Sequence, residues 1–168
     1  SKIFKDIYFY GYTQSLDYYY LYKKESITLM NKELDEYKVL NTNKNKFNIL
    51  LMHSPICLKD SNINKKLSKY DLILCGHVHN GMILPIFDEI FKGNRGLIAP
   101  RREIFPKYAR GVVRQDNTIV ISSGITKISK SASRILRFLN LFFPIGINII
   151  EISKEKENND SYRYFTKI

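Results

Sequence analysis

Phe47-Asn48-Ile49-Leu50-Leu51-Met52-His53-Ser54-Pro55 and Leu72-Ile73-Leu74-Cys75-Gly76-His77-Val78-His79-Asn80-Gly81 are the two stretches on which the fold turns. Each opens with a short, almost continuously apolar run. Such runs are too brief for a helix and greasy on both faces, the pattern of strands covered on both sides of a sheet. Between them Leu58 to Tyr70 is polar enough for one connecting helix, so the pair reads as a β-α-β unit with parallel strands. Upstream, Lys5 to Tyr12 is aromatic and β-branched and runs into a loop at Gly11, which predicts another strand. From Ser26 to Leu40 the positions Ile27, Met30, Leu34 and Tyr37 recur at helical steps, giving an amphipathic helix with Ser26 as its expected N-cap, ended by the polar stretch Asn41 to Lys46.

Downstream of Gly81 the pattern changes to short strands, expected at Met82 to Ile86, Tyr108 to Arg114, Thr118 to Ser122, Ile147 to Ile152 and Tyr162 to Lys167. Asp116-Asn117 is the expected hairpin turn between two of them. Asp88 to Pro106 has no clear period, and loops of that length are commonly functional. No repeat or low-complexity linker divides the 168 residues, which fit one domain or one part of one. The fold class expected is α/β.

Composition narrows the partners. With 44% apolar and 13% aromatic residues the chain can bury a core, which argues against a disordered tail. Its 27 basic and 16 acidic side chains leave a net charge of +11, pointing to an anionic partner: phosphate, nucleic acid or a lipid surface. Between Phe91 and Arg137 eleven Lys and Arg face only Glu103 and Asp116, so most of the excess sits in this third of the chain. Such a stretch is either a solvated basic face or a field that draws in phosphate or anionic lipid. Two cysteines, Cys57 and Cys75, are too few for a disulfide framework and lack zinc-knuckle spacing; both are expected as reduced core thiols. No apolar run is long enough to cross a bilayer, and a soluble segment is expected.

The three histidines all follow buried strands: His53 after Met52, and His77 and His79 after Cys75. In open α/β sheets the carboxyl edge is where sites gather, and parallel neighbours would bring the three together. With Val78 between them in extended backbone, His77 and His79 would point to the same side. Gly76 and Gly81 would allow a tight backbone around them. A histidine at a strand end can be a plain surface residue, but three converging imidazoles suggest a transition-metal site.

These residues resemble a known family. His53-Ser54-Pro55 after one buried strand and Gly76-His77-Val78-His79-Asn80-Gly81 after the next look like the C-terminal half of the calcineurin-like metallophosphoesterases. The closest likeness is to the small bacterial phosphohydrolases, often membrane-associated. In that subgroup GHxH is followed by an apolar-Pro strand, a KY-x-x-G strand and an S-x-G turn, matched here by Leu84-Pro85, Lys107-Tyr108-Ala109-Arg110-Gly111 and Ser122-Ser123-Gly124. The likeness runs from about Asp6 to Ile152.

The resemblance implies a four-layer α-β-β-α sandwich with mixed sheets. It also implies two divalent ions, of manganese, iron or zinc, holding a hydroxide that attacks phosphorus in line. By motif, His53 and His77 would ligate one metal and His79 the other. The family's earlier Asp-x-His, Gly-Asp and Asn-His motifs are not found; Asp6, Asp17 and Asp35 have no His two positions on. The expectation is therefore that residues 1–168 are the C-terminal portion of a longer phosphohydrolase. They would be inactive alone, with the missing N-terminal half as partner, a phosphorylated substrate, and membrane association of the full-length protein. A nuclease is a further reading within the same fold.

A reading from a different class is a non-catalytic basic module for a membrane surface or nucleic acid. Nucleic acid fits less well, because the aromatics concentrate at Tyr8 to Tyr22, outside the basic region. Lys127 to Pro144 is both basic and greasy. As an interfacial helix it would place Lys130, Arg134 and Arg137 at anionic headgroups, with Phe142 and Phe143 among the side chains near lipid. Alternatively its apolar residues cover the edge of the sandwich or contact the missing half.

Overall fold

The computed structural model describes residues 6–15, 24–36, 42–78, 94–96, 98–99, 103–104, 107–122, 134, 147–156 and 162–167. The protein is α/β, built on a mixed five-stranded sheet. In chain order its described elements are β1 (Ile7–Tyr12), α1 (Lys24–Glu36), β2 (Phe47–Met52), a 3-10 turn (Ile56–Lys59), α2 (Ser61–Leu67) and β3 (Leu72–Cys75). Then follow β4 (Ile98–Ala99), β5 (Glu103–Ile104), β6 (Gly111–Arg114), β7 (Thr118–Ile121), β8 (Glu151–Lys156) and β9 (Tyr162–Lys167). The main sheet has the order β1-β2-β3-β7-β6; β4 pairs with β5, and β8 with β9. β1, β2, β3 and β7 are mutually parallel, and β6 lies antiparallel on the far edge.

The unit around β2 and β3 forms as its apolar runs require. Side chains alternate between two cores. Leu50, Met52, Ile73, Cys75, Ile119 and Ile121 face α1 and α2, meeting Met30, Leu34, Ile63 and Leu67. On the other face Phe47, Ile49, Leu72 and Val120 are buried, with Ile150 and Ile152 packed against them. Helices thus cover one face of the sheet, and residues at the start of β8 lie on the other.

Several elements differ from the sequence expectation. Ser26 lies buried in the first turn of α1 rather than capping it, because the helix already includes Lys24 and Glu25. The single helix expected over Leu58 to Tyr70 is a 3-10 turn and a short α-helix. The break falls at Asp60, whose Oδ1 accepts the amides of Asn62 and Ile63 and starts α2 afresh. The strand expected at Ile147 to Ile152 is shifted four residues along: β8 spans Glu151–Lys156, aligned from Glu151↔Lys167 to Lys156↔Tyr162. Pairing with β9, not apolar content, sets its limits, and Ile147 and Ile149 are exposed.

Lys107 to Arg110 is not strand; β6 begins at Gly111, after a left-handed turn with Tyr108 at φ 57° and Gly111 at φ 71°. The expected hairpin at Asp116-Asn117 is present, closed by Gln115 N donating to Asn117 O at 2.9 Å. Cys57 and Cys75 are buried thiols, and burial pushes the Cys57 thiol up to about 12. Among the described residues no helix is long and apolar enough to cross a membrane. The expected strand Met82 to Ile86 lies outside the described residues, as do Lys130, Arg137, Phe142 and Phe143; Arg134 is described and exposed.

Candidate metal-binding histidine pair

β2 and β3 are adjacent and parallel, with Leu51 opposite Leu74. Carrying that register two residues further brings His53 level with Gly76, and Gly76 N donates to His53 O at 3.0 Å. Both strands end here, so the next side chains stand at the carboxyl edge of the sheet. His53 Nε2 lies 2.9 Å from His77 Nδ1, and the two rings meet edge to face with centroids 4.7 Å apart. His53 is exposed, His77 half-buried, and Val78 wholly buried in the core on the helix side.

The backbone at this motif departs from the extended geometry that the two-residue step implied. His77 has φ 67°, in the left-handed region, whereas Gly76 needs no special conformation: a Cβ added there would meet only His53 O, at 3.9 Å. The turn therefore falls on a histidine and not on the glycine beside it. Histidine is among the side chains that tolerate this region best, yet it costs about 1–2 kcal/mol relative to glycine. Backbone strain of this kind concentrates at functional sites.

Two imidazole nitrogens that face each other at hydrogen-bond distance share one proton between two lone pairs. That is also the arrangement in which two imidazoles share a cation. Nitrogens bound at about 2.1 Å to one ion are about 3.0 Å apart at a right angle and about 3.4 Å apart in a tetrahedron. The observed 2.9 Å needs only small ring rotations to reach either. As donors His53 and His77 are of the kind that fits a transition-metal ion, to which they could offer two ligands. His79, the third expected ligand, lies outside the described residues. Among the described residues no group of three or more His, Cys, Asp or Glu side chains could hold a metal ion. Cys57 and Cys75 remain core thiols, and burial also raises Cys75 well above the ordinary thiol range.

Two residues absent from the sequence reading shape this edge. Gln14, buried, accepts Ser54 N at Oε1 (2.6 Å) and donates from Nε2 to Ser54 O (3.1 Å). Asn94 Nδ2 donates to the carbonyls of Arg110 (2.7 Å) and Val112 (2.9 Å), and Ala109 N donates to Asn94 O (2.7 Å), clipping the basic stretch to β6. A glutamine two residues beyond one strand carries no motif. Only the β1–β2 register, Tyr12 opposite Met52, sets Gln14 level with Ser54. Compared with models of protein families, with curated proteins and with solved structures, the chain matches none, so the functional case rests on its own residues.

Proposed function

We propose that this chain is the histidine-bearing C-terminal part of a divalent-metal-dependent phosphoesterase acting on phosphate mono- or diesters. The observation that carries this reading is the pair His53 and His77, joined nitrogen to nitrogen at the carboxyl ends of adjacent parallel strands. The four-layer sandwich draws support from the placement of helices over one face of the sheet and of Ile150 and Ile152 against the other.

In this reading His53 and His77 would hold one ion and His79 the other. A divalent cation held there would supply Lewis acidity toward a phosphoryl oxygen and charge stabilisation in displacement. The chain contributes orientation and field. Parallel pairing fixes the strand ends, and the left-handed turn aims His77 Nδ1 at His53. Exposed Arg95, Lys107 and Arg114 add positive potential that raises the local concentration of a phosphorylated substrate.

The test is hydrolysis of p-nitrophenyl phosphate and bis(p-nitrophenyl) phosphate with added Mn2+. Residues 1–168 alone are expected to show no turnover, because their histidines leave the ion under-coordinated. The same residues extended upstream in their natural protein are expected to turn over, and to lose at least 100-fold in rate (about 2.7 kcal/mol) in His53→Ala and His77→Ala. An extended protein whose rate is indifferent to both substitutions contradicts the reading.

A further inference from the structure

We infer that Gln14 is the positioning residue of the histidine pair, acting on His53 through the main chain of Ser54. Main-chain pairing between β1 and β2 ends at Tyr12↔Met52. Two residues further on the chain substitutes a side chain for the missing strand. A carboxamide carries the same donor and acceptor as a peptide group, and Gln14 uses both on one residue, at 2.6 Å to Ser54 N and 3.1 Å to Ser54 O. Ser54 is fully buried and Gln14 is 8% exposed, so water does not compete for these bonds.

On the opposite side, Gly76 N holds His53 O at 3.0 Å, and Pro55 limits the backbone that follows. The main chain at positions 53 and 54 is therefore bound from both neighbours. This matters because His53 is exposed, at the end of its strand, and the direction in which its ring leaves the sheet follows from the main chain that carries it. A main chain held on both sides keeps the ring within 2.9 Å of His77. Loss of the carboxamide removes both of these bonds from the buried main chain of Ser54 and loosens the segment that carries His53.

The requirement is specific. Methionine matches glutamine in length and offers neither bond, whereas glutamate keeps the acceptor for Ser54 N and deletes the donor to Ser54 O. The inference rests on His53 as a ligand-bearing side chain, and the test separates the two.

Long-range 1H–15N spectra of the imidazoles, recorded at one fixed pH on the whole chain, read the His53–His77 hydrogen bond without metal. Competition against a chromophoric chelator reads Zn2+ affinity. Gln14→Met is expected to abolish the spectral signature of the ring-to-ring bond and to weaken Zn2+ binding at least tenfold. Asn48→Leu, a destabilising change at the opposite end of β2, is expected to leave both as in the parent. If Gln14→Met does not fold, Gln14→Glu is measured in the same way and is expected to lose the same bond. A parent-like spectrum and affinity in the Gln14 variant overturn the inference, as does an equal loss in Asn48→Leu. A parent protein that does not bind Zn2+ defeats the metal reading alone, and the metal-free spectra still decide the role of Gln14.

Discussion

The two ends of the parallel sheet are built on opposite principles. At the amino end, polar side chains close on one another. Asn48, buried, donates through Nδ2 to the carbonyls of Asn43 and Lys46, and its Oδ1 accepts Tyr10 Oη and Asn43 N; its own N–H is held by Asp71 at 2.7 Å. Asp6 gathers Lys46 at 2.5 Å and Lys154 at 2.6 Å, tying the starts of β1 and β2 to β8. At the carboxyl end the main chain is as firmly held, but two imidazoles project from it, one exposed and one on left-handed backbone. The polar side-chain network lies at one end and the imidazole pair at the other, the edge where sites gather in open α/β sheets.

The largest break in that contrast is expected at Asn48. Asn48→Leu removes the side-chain bonds to the half-buried main chain of Asn43 and Lys46 and is expected to cost about 2–4 kcal/mol in urea unfolding while leaving Zn2+ affinity unchanged. A cost below about 0.5 kcal/mol would show that the amino-end network is not what holds the sheet. Next comes Asp6, whose carboxyl is held down to about 2, first by its bond to Lys154 and then by Lys46. Because its folded pKa lies below the ordinary 3.8, the charged link contributes fully above that value and fades as pH falls toward 2. Asp6→Asn is expected to flatten the stability profile between those limits, and an unchanged acid profile would remove the clasp from the account.

Effects at the carboxyl end are smaller and of a different kind. His77→Gly relieves the left-handed strain and is expected to leave stability unchanged or raise it by up to about 1 kcal/mol, while metal binding falls. A loss of more than about 1 kcal/mol would mean that the His77 ring serves packing. Smallest of all, His53→Ala is expected to change stability by less than about 0.5 kcal/mol, since the ring is exposed, and yet to remove metal affinity.

The same contrast explains what the sequence reveals. β2, β3 and the parallel β-α-β unit are legible because two-sided burial needs unbroken apolar runs, and the meeting of His53 and His77 follows once those strands are neighbours. The turn at His77 is not legible, because the adjacent Gly76 is the residue expected to take it. Gln14 escapes notice because its role depends on a register of forty positions, visible only when β1 and β2 are aligned. The Ser26 signal misleads because a serine near a helix start serves equally in the first turn. The start of β8 is fixed by its partner β9 rather than by its own apolar residues.

The most direct test of the central claim is titration of the 15N-labelled chain with Zn2+, following both imidazoles. The account predicts that His53 and His77 resonances move together and saturate at one equivalent, and that His53→Ala abolishes the response of His77. Imidazoles that do not respond, or a His77 response that survives the loss of His53, would contradict a shared cation site.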